Sequence, residues 1–330
     1  MKKENTPLIL ANFGGPRDLN EVYPFLKSLL TDRDVISTPL PSFLNTLLFT
    51  WIAKRRTPKV SREYLSMGGG SPIFKCTETV AGLLREKTNR RIITFHRYIP
   101  ALHQPFIEEL SRLENRMIDI FPLFPQFTYA TTGSIARWFQ DHLPQKITNE
   151  MRWIKSYPDH PSFAQLHARK INFFLNQNDL SAKDSILLFS AHGIPQKYVD
   201  RGDIYFSECL RSYQSIMTHF PITLGRLCFQ SKFGPGQWLK PYTSESCENI
   251  LSWNQNRKNV VFIPISFTSD HIETLCEIEN DYMTVVRDKG LNAFRVPAFN
   301  DDSDWIETIA EILDGESYCS NTNLVKDHCY

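Results

Sequence analysis

Residues 261–282, VFIPISFTSDHIETLCEIENDY, decide the fold class. Val261, Phe262, Ile263 and Ile265 form a short apolar run, of the length and composition that a parallel strand covered on both faces requires. Thr268, Ser269 and Asp270 then offer side-chain oxygens to begin a helix, and Asp270 with Glu273 has the spacing of a capping box. Strand, turn and helix in that order make one unit of an α/β fold. The helix carries His271, Glu273, Glu277 and Asp281, one imidazole and three carboxylates within about three turns. Carboxylates four residues apart drift slowly round one face of a regular helix, and a single π-bulge would bring them closer to a line. A line of acids repels itself unless it binds cations, shares protons or reaches water, which makes it a candidate metal or proton path. The same residues also fit a solvated face with Glu273 as a cap.

Working outward, the pattern repeats. Before this stretch, strands are expected at 8–11, 91–98, 117–124, 151–157, 185–190 and 223–230, separated by amphipathic helices. After it come a strand at 292–296 and a closing helix near Trp305. Alternating strands and helices over 330 residues are too much for one ordinary domain and predict two doubly wound α/β halves, each a parallel sheet flanked by helices. The expected boundaries are 1–158 for the first half, 159–300 for the second and 301–330 for a helix and tail returning to the first.

Composition narrows the function. Lys plus Arg number 37 against 36 Asp plus Glu, so no overall field favours nucleic acid as a partner. Seven cysteines without short paired spacings, in a chain beginning MKKENTP with no apolar leader, fit a reducing, cytoplasmic compartment and free thiols. No run approaches the roughly twenty apolar residues of a membrane span. Residues 40–56, LPSFLNTLLFTWIAKRR, instead place Phe43, Leu47, Leu48 and Trp51 ahead of Lys54, Arg55 and Arg56. That order suits a peripheral contact with the inner face of a membrane, and equally a core helix with a solvated end. The three glycines of YLSMGGGSP, 64–72, mark a place where the backbone turns or approaches something closely.

Two further features lie where strands end, the edge at which open α/β sheets hold ligands. Asn12-Phe13-Gly14-Gly15-Pro16 closes the first strand with a tight turn that lacks a phosphate-loop pattern. Ser190-Ala191-His192-Gly193-Ile194-Pro195 carries His192 off the end of a central strand. Beyond it, Gln230 to Leu239, QSKFGPGQWL, sets Trp238 after a glycine-rich loop, where it can lie against a flat apolar ligand or anchor the loop.

SAHGIP followed by RGD, QSKFGPGQWL and PISFTSDHIETLCEIENDY resembles the ferrochelatases, enzymes that insert Fe²⁺ into porphyrin. The likeness extends over nearly the whole chain through LANFGGP, IAKRRTPKV, EYLSMGGGSP, HRYIP, FPQFTYATTGS and SYPDHPSF. It implies two Rossmann-like halves with a porphyrin cleft between them. It also implies that His192 and Glu273 are the catalytic and metal-handling pair, with His271, Glu277 and Asp281 on the proton or metal path. Asn12, Phe13, Tyr64, Ser71, Arg97, Tyr98 and Trp238 correspond to porphyrin-binding positions, and residues 40–56 to a membrane-facing lip. Phe13 takes a place that is often Met or Tyr and cannot ligate iron. Some family members carry a [2Fe–2S] cluster on four cysteines. Here Tyr129 occupies one of those positions and the tail holds only Cys319 and Cys329, so no cluster and no permanent cofactor are expected. The residues after Gly315 are expected to form a mobile, dispensable tail.

The expected activity is insertion of Fe²⁺ into protoporphyrin IX to give protohaem with release of two protons, the terminal step of haem biosynthesis. A chelatase for coproporphyrin III, cobalt or another tetrapyrrole is the alternative within this architecture; the apolar lip argues for the less soluble dicarboxylate porphyrin. A two-lobed haem- or metal-binding protein without chemistry is the rival from another class. Partners are then porphyrin, ferrous iron and a membrane surface, with room for a homodimer and none for nucleic acid.

Overall fold

The computed structural model describes residues 6–113, 117–315 and 317–326, with Cys329 outside them. In chain order the strands among these residues are β1 (Leu8–Asn12), β2 (Ile92–His96), β3 (Ile118–Pro122), β4 (Met151–Ile154), β5 (Ser185–His192), β6 (Leu224–Gln230), β7 (Asn259–Ile263), β8 (Asn292–Arg295) and β9 (Tyr318–Ser320). They form two sheets, ordered β2-β1-β3-β4-β9 and β6-β5-β7-β8. The chain divides accordingly into two compact units, Met1–Ser156 with Asp301–Tyr330, and Tyr157–Asn300.

In the second unit the middle of each central strand, Ile186–Phe189 of β5 and Val260–Ile263 of β7, is apolar because both faces are covered. Leu187, Phe189 and Ala191 of β5 join Val261 and Ile263 of β7 in one core. Ile186 and Leu188 join Val260 and Phe262 in the other. The period of two thus sends alternate side chains of one strand to opposite faces, and burying each large one contributes about 1.5–3 kcal/mol. All pairings of this sheet are parallel, with His192 at the end of β5 level with Gln230 at the end of β6.

The first unit repeats the plan with one exception. β9 pairs antiparallel to β4, Trp153 opposite Cys319. The tail expected to be mobile is therefore a sheet strand: Tyr318 lies beneath the Arg152 guanidinium, 4.5 Å from the ring centroid. Leu324 is fully buried in the core of this unit. At the centre of the same sheet edge the buried Asp119 accepts from Arg90 at 2.7 Å and from both Nε and Nη2 of Arg152. A tail with few apolar residues reads as loose, but an edge strand needs only backbone pairing and one anchored leucine to be held.

Residues 40–56 do not end at the basic cluster. Helix α1 (Val22–Thr31) is followed by α2 (Ser42–Ser66), which continues through Pro58. Proline deprives the carbonyl four residues earlier of its donor. That carbonyl belongs to Lys54, an exposed residue, where water can replace the bond. Met67 caps the end of α2, and Gly68 and Gly69 take φ of +98° and +94°. The next glycine serves close approach: a Cβ on Gly70 would stand 2.4 Å from the carbonyl oxygen of Arg17. There Ser71 N–H donates to the Pro16 carbonyl at 2.7 Å, and helix α3 (Pro72–Thr88) begins with the Ser71 hydroxyl as its cap.

Candidate active site

β5 delivers His192 to the carboxyl edge of the second sheet, and the loop after it is strapped down by the Trp238 segment. Gly193 N–H donates to the Gln230 carbonyl, Gln196 N–H to that of Gln237, and Leu239 N–H to that of Ile194. A Cβ at position 193 would lie 2.7 Å from the Gln230 oxygen, so only glycine lets this loop approach the end of β6 so closely, with the half-buried Trp238 indole in ordinary contact beside it. His192 N–H donates to the Ser266 hydroxyl at 2.9 Å. Its imidazole Nδ1 lies 2.8 Å from Glu273 Oε2.

Glu273 opens a π-helix that runs unbroken to Tyr282, not a single bulge in an α-helix. Bonding from i to i+5 widens each turn, so positions four apart fall closer to one line. The capping box does not form. Glu273 turns to His192, while Asp270 accepts from Thr274, Arg295 and Asn300 and so fixes the start of the helix. A partner 81 residues away has displaced the local one.

Glu277 is the most heavily bonded carboxylate of the row. Its Oε1 accepts from Ser231 N–H at 2.8 Å and from the Tyr282 hydroxyl at 2.5 Å. Its Oε2 accepts from Gln230 Nε2 at 3.2 Å and meets the Ser231 hydroxyl. The same hydroxyl stands 3.0 Å from Glu273 Oε2. His271 is buried; its Nδ1 faces the Ser269 carbonyl at 3.2 Å, and its Nε2 faces Glu273 Oε2 at 4.0 Å. Asp281 is exposed to solvent. Among the described residues no group of three or more His, Cys, Asp or Glu is arranged to hold a metal ion.

The electrostatics separate these groups. Removal from water opposes protonation of His192, but the charge and hydrogen bond of Glu273, with Glu277 further off, outweigh it and raise its pKa. Burial would raise Glu273, yet the charge and hydrogen bond of His192, then His271 and Ser231, hold it below the usual carboxylate range. Burial and the Glu273 charge raise Glu277 beyond what Ser231 and Tyr282 take back. Burial keeps His271 neutral to lower pH than usual. The result is an imidazole made more basic by an ionised carboxylate, next to a second carboxyl that holds a proton more readily than usual, with a less basic imidazole beside it.

In the first unit, Phe13 is half-buried after β1, its ring centroid 4.5 Å from that of Tyr98. Arg97 and Tyr98 share one acceptor: Asp32 Oδ2 receives Arg97 Nη2 at 2.6 Å, the Tyr98 hydroxyl at 2.9 Å and the Ser134 hydroxyl at 2.6 Å. Burial and the Asp32 charge hold the Tyr98 phenol protonated far above its ordinary pKa. Asn12 donates to Thr77 Oγ1 and accepts from Phe13 N–H. Tyr64 and Ser71 are buried. On α2, Phe43, Leu47, Leu48 and Trp51 are 66%, 65%, 40% and 55% exposed.

Sequence reasoning missed Ser231, Gln230, Ser266 and Tyr282 as site members, and Asp32 and Ser134 as the partners of Arg97 and Tyr98. Only the first two carried a signal: they close the strand that lies beside β5.

The ferrochelatase family model matches residues 5–316. The chain is 44% identical to the ferrochelatase of Chlamydia caviae over 318 residues, 96% of this chain and 98% of that one. It is 42% identical to that of Chlamydia pneumoniae, covering 96% and 95%. Among solved structures it resembles CbiX, the terminal enzyme for biosynthesis of siroheme in denitrifying bacteria, with a TM-score of 0.51 at 15% identity over 94% of this chain and all of that one. DR2241 from Deinococcus radiodurans gives 0.51 at 13% identity, over 74% of this chain and 52% of that one. These two likenesses concern the fold alone and agree with paired parallel sheets flanked by helices. With a family match across nearly its whole length and such relatives, the chain belongs to the ferrochelatase family and is a metal chelatase, a lyase.

Proposed function

We propose that this enzyme inserts Fe²⁺ into protoporphyrin IX, forming protohaem and two protons, with iron as substrate and no permanently bound cofactor. The contact between His192 and Glu273 carries the reading. A porphyrin gives up two pyrrole protons as the metal enters, so the site needs a base whose lone pair faces the ring. With Nδ1–H donating to Glu273, the imidazole keeps its Nε2 lone pair for a pyrrole proton or, briefly, for iron. The carboxylate then stabilises the imidazolium that results. His271, Glu277 and Asp281 are assigned to the path by which protons leave or metal arrives, and Trp238 to the wall of the porphyrin site. Of the first-unit set, the half-exposed Phe13 is assigned direct contact. Asn12, Ser71, Arg97 and Tyr98 are assigned to support it through the bonds described above, and Tyr64 as a buried aromatic.

A [2Fe–2S] cluster needs four thiolates. Cys319 is held in β9 and Tyr129 packs under Lys326, which supports the reading that none is built here. No helix among the described residues is long and apolar enough to cross a membrane. The exposed apolar residues of α2 support peripheral attachment of a cytoplasmic enzyme. Metal insertion by the purified protein, followed with Fe²⁺ and Zn²⁺ on protoporphyrin and coproporphyrin in parallel, tests the reading. Faster turnover of protoporphyrin is expected, and preference for coproporphyrin would contradict it.

A further inference from the structure

Ser231 follows directly on β6 and holds a φ of +64°. That region is unstrained for glycine and costly for a residue with a Cβ, so a side chain kept there calls for a reason. Its contacts supply one. The hydroxyl stands 3.0 Å from Glu273 Oε2 and in closer contact with Glu277 Oε2. A hydroxyl has one proton to donate and lone pairs to accept with, whereas ionised carboxylates only accept. Between two ionised carboxylates it would satisfy one and turn a lone pair toward the other. Both contacts become hydrogen bonds only when one of the two carboxyls is protonated, so the arrangement suits a proton shared among Glu273, Ser231 and Glu277.

The bonds on Glu277 give the path a direction. Its Oε1 takes two donors, Ser231 N–H and the Tyr282 hydroxyl, whereas Oε2 takes only the Gln230 amide at 3.2 Å besides the serine hydroxyl, which makes Oε2 the place where a proton arrives. Asp281, the next acid in the row, lies exposed to solvent.

We propose that the Ser231 hydroxyl relays protons between Glu273 and Glu277, so that protons taken from the porphyrin leave the site through a serine instead of passing from one carboxylate to the next. His192, having taken a pyrrole proton, passes its Nδ1 proton to Glu273, and protonated Glu273 donates to Ser231 Oγ as the Ser231 O–H proton moves to Glu277 Oε2. Glu273 is returned to its ionised form, the serine regains one proton, and Glu277, now protonated, releases that proton to solvent. Two passes match the two protons of each insertion. The inference rests on the reading of Glu273 as part of the proton-accepting pair, and Ser231 acts through it as a positioning residue.

Ser231→Gly removes the hydroxyl and relieves the backbone. In single-turnover Zn²⁺ insertion into protoporphyrin it should be slower by about tenfold or more, a smaller loss than the roughly 10²–10⁴ that a lost acid–base group costs. Porphyrin affinity from fluorescence quenching should stay within about twofold, and the melting temperature should not fall. Ser231→Ala should show the same rate loss with a lower melting temperature. A wild-type rate for Ser231→Gly alongside an inactive Glu273→Gln overturns the relay and leaves the pair intact. An active Glu273→Gln overturns the reading beneath it. A rate loss in Ser231→Gly matched by lost porphyrin binding or lost stability assigns Ser231 a structural role and also overturns the relay.

Discussion

His192 Nδ1 and Glu273 Oε2 stand 2.8 Å apart although 81 residues separate them in the chain. Parallel strand order makes this possible. β5 and β7 are neighbours in the sheet, both end at the same edge, and the turn after β7 carries Ser266, which holds the His192 backbone, and then the π-helix. The site is therefore built within one sheet, and its geometry depends on the register of two buried strands.

The exposed face of α2 should bind vesicles. Phe43, Leu47 and Trp51 present apolar surface, and the Arg55 guanidinium lies 4.7 Å from the centroid of the Trp51 ring. Each basic residue near an anionic surface adds ~1 kcal/mol. Flotation with anionic liposomes should therefore weaken with salt and be lost when Leu47, Leu48 and Trp51 are changed to Ser. Flotation equal to that of the wild type would assign the face to another role.

Removal of the residues after Gly315 should destabilise the first unit. It uncovers the edge of β4, takes the ring of Tyr318 from Arg152 and empties the position of Leu324. Loss of one buried leucine alone costs roughly 2–5 kcal/mol. A clear fall in melting temperature is expected, and an unchanged one would show that β9 contributes nothing.

His167 should make stability sensitive to acid. Buried between Phe163 and Phe299, with Nε2 lacking a hydrogen-bond partner, it has its pKa pushed down to about 3, first by burial and then by Lys170. The folded state thus binds fewer protons than the unfolded state between pH 6.5 and about 3. The stability is present above 6.5 and lost as pH falls through that window, at a limiting slope of about 1.4 kcal/mol per pH unit. The stability difference between wild type and His167→Leu should shift toward the variant at that slope on acidification. A difference independent of pH would mean that the imidazole is protonated in place.

Much of this was legible. The apolar run at 261–265 announced a doubly covered strand because burial on both faces leaves no polar positions, and β7 is that strand. His192 was legible for the same reason: a titratable residue directly after such a run has to emerge at the sheet edge. The capping box at Asp270 was misread because local spacing reports only what Glu273 can reach in its own helix, not the imidazole brought to it by sheet pairing. Ser231 was passed over because a serine in a glycine-rich loop is ordinary turn composition until its positive φ and its two carboxylate neighbours are seen. The continuation of α2 through Pro58 was not legible: residues 40–56 read as a membrane contact or as a core helix with a solvated end, and proline, usually a helix breaker, is tolerated where the carbonyl it orphans belongs to an exposed residue.

Trp238→Ala should affect porphyrin more than chemistry. The indole is half-buried on the strap over the His192 loop and makes no polar contact with Glu273. Porphyrin affinity should fall by about tenfold, equivalent to ~1.4 kcal/mol, while turnover at saturating porphyrin stays close to wild type. A loss confined to turnover would move Trp238 from the porphyrin wall to the positioning of His192.

The most direct test compares His192→Ala and Glu273→Gln in two measurements on the same preparations: porphyrin binding by fluorescence quenching, and metal insertion at saturating porphyrin. A group that accepts a proton only as the metal enters lowers kcat and leaves ground-state affinity nearly unchanged. Both variants should bind porphyrin almost normally and insert metal slower by roughly 10²–10⁴. Near-wild-type insertion by both would contradict the assignment of the His192–Glu273 pair as the centre of the reaction.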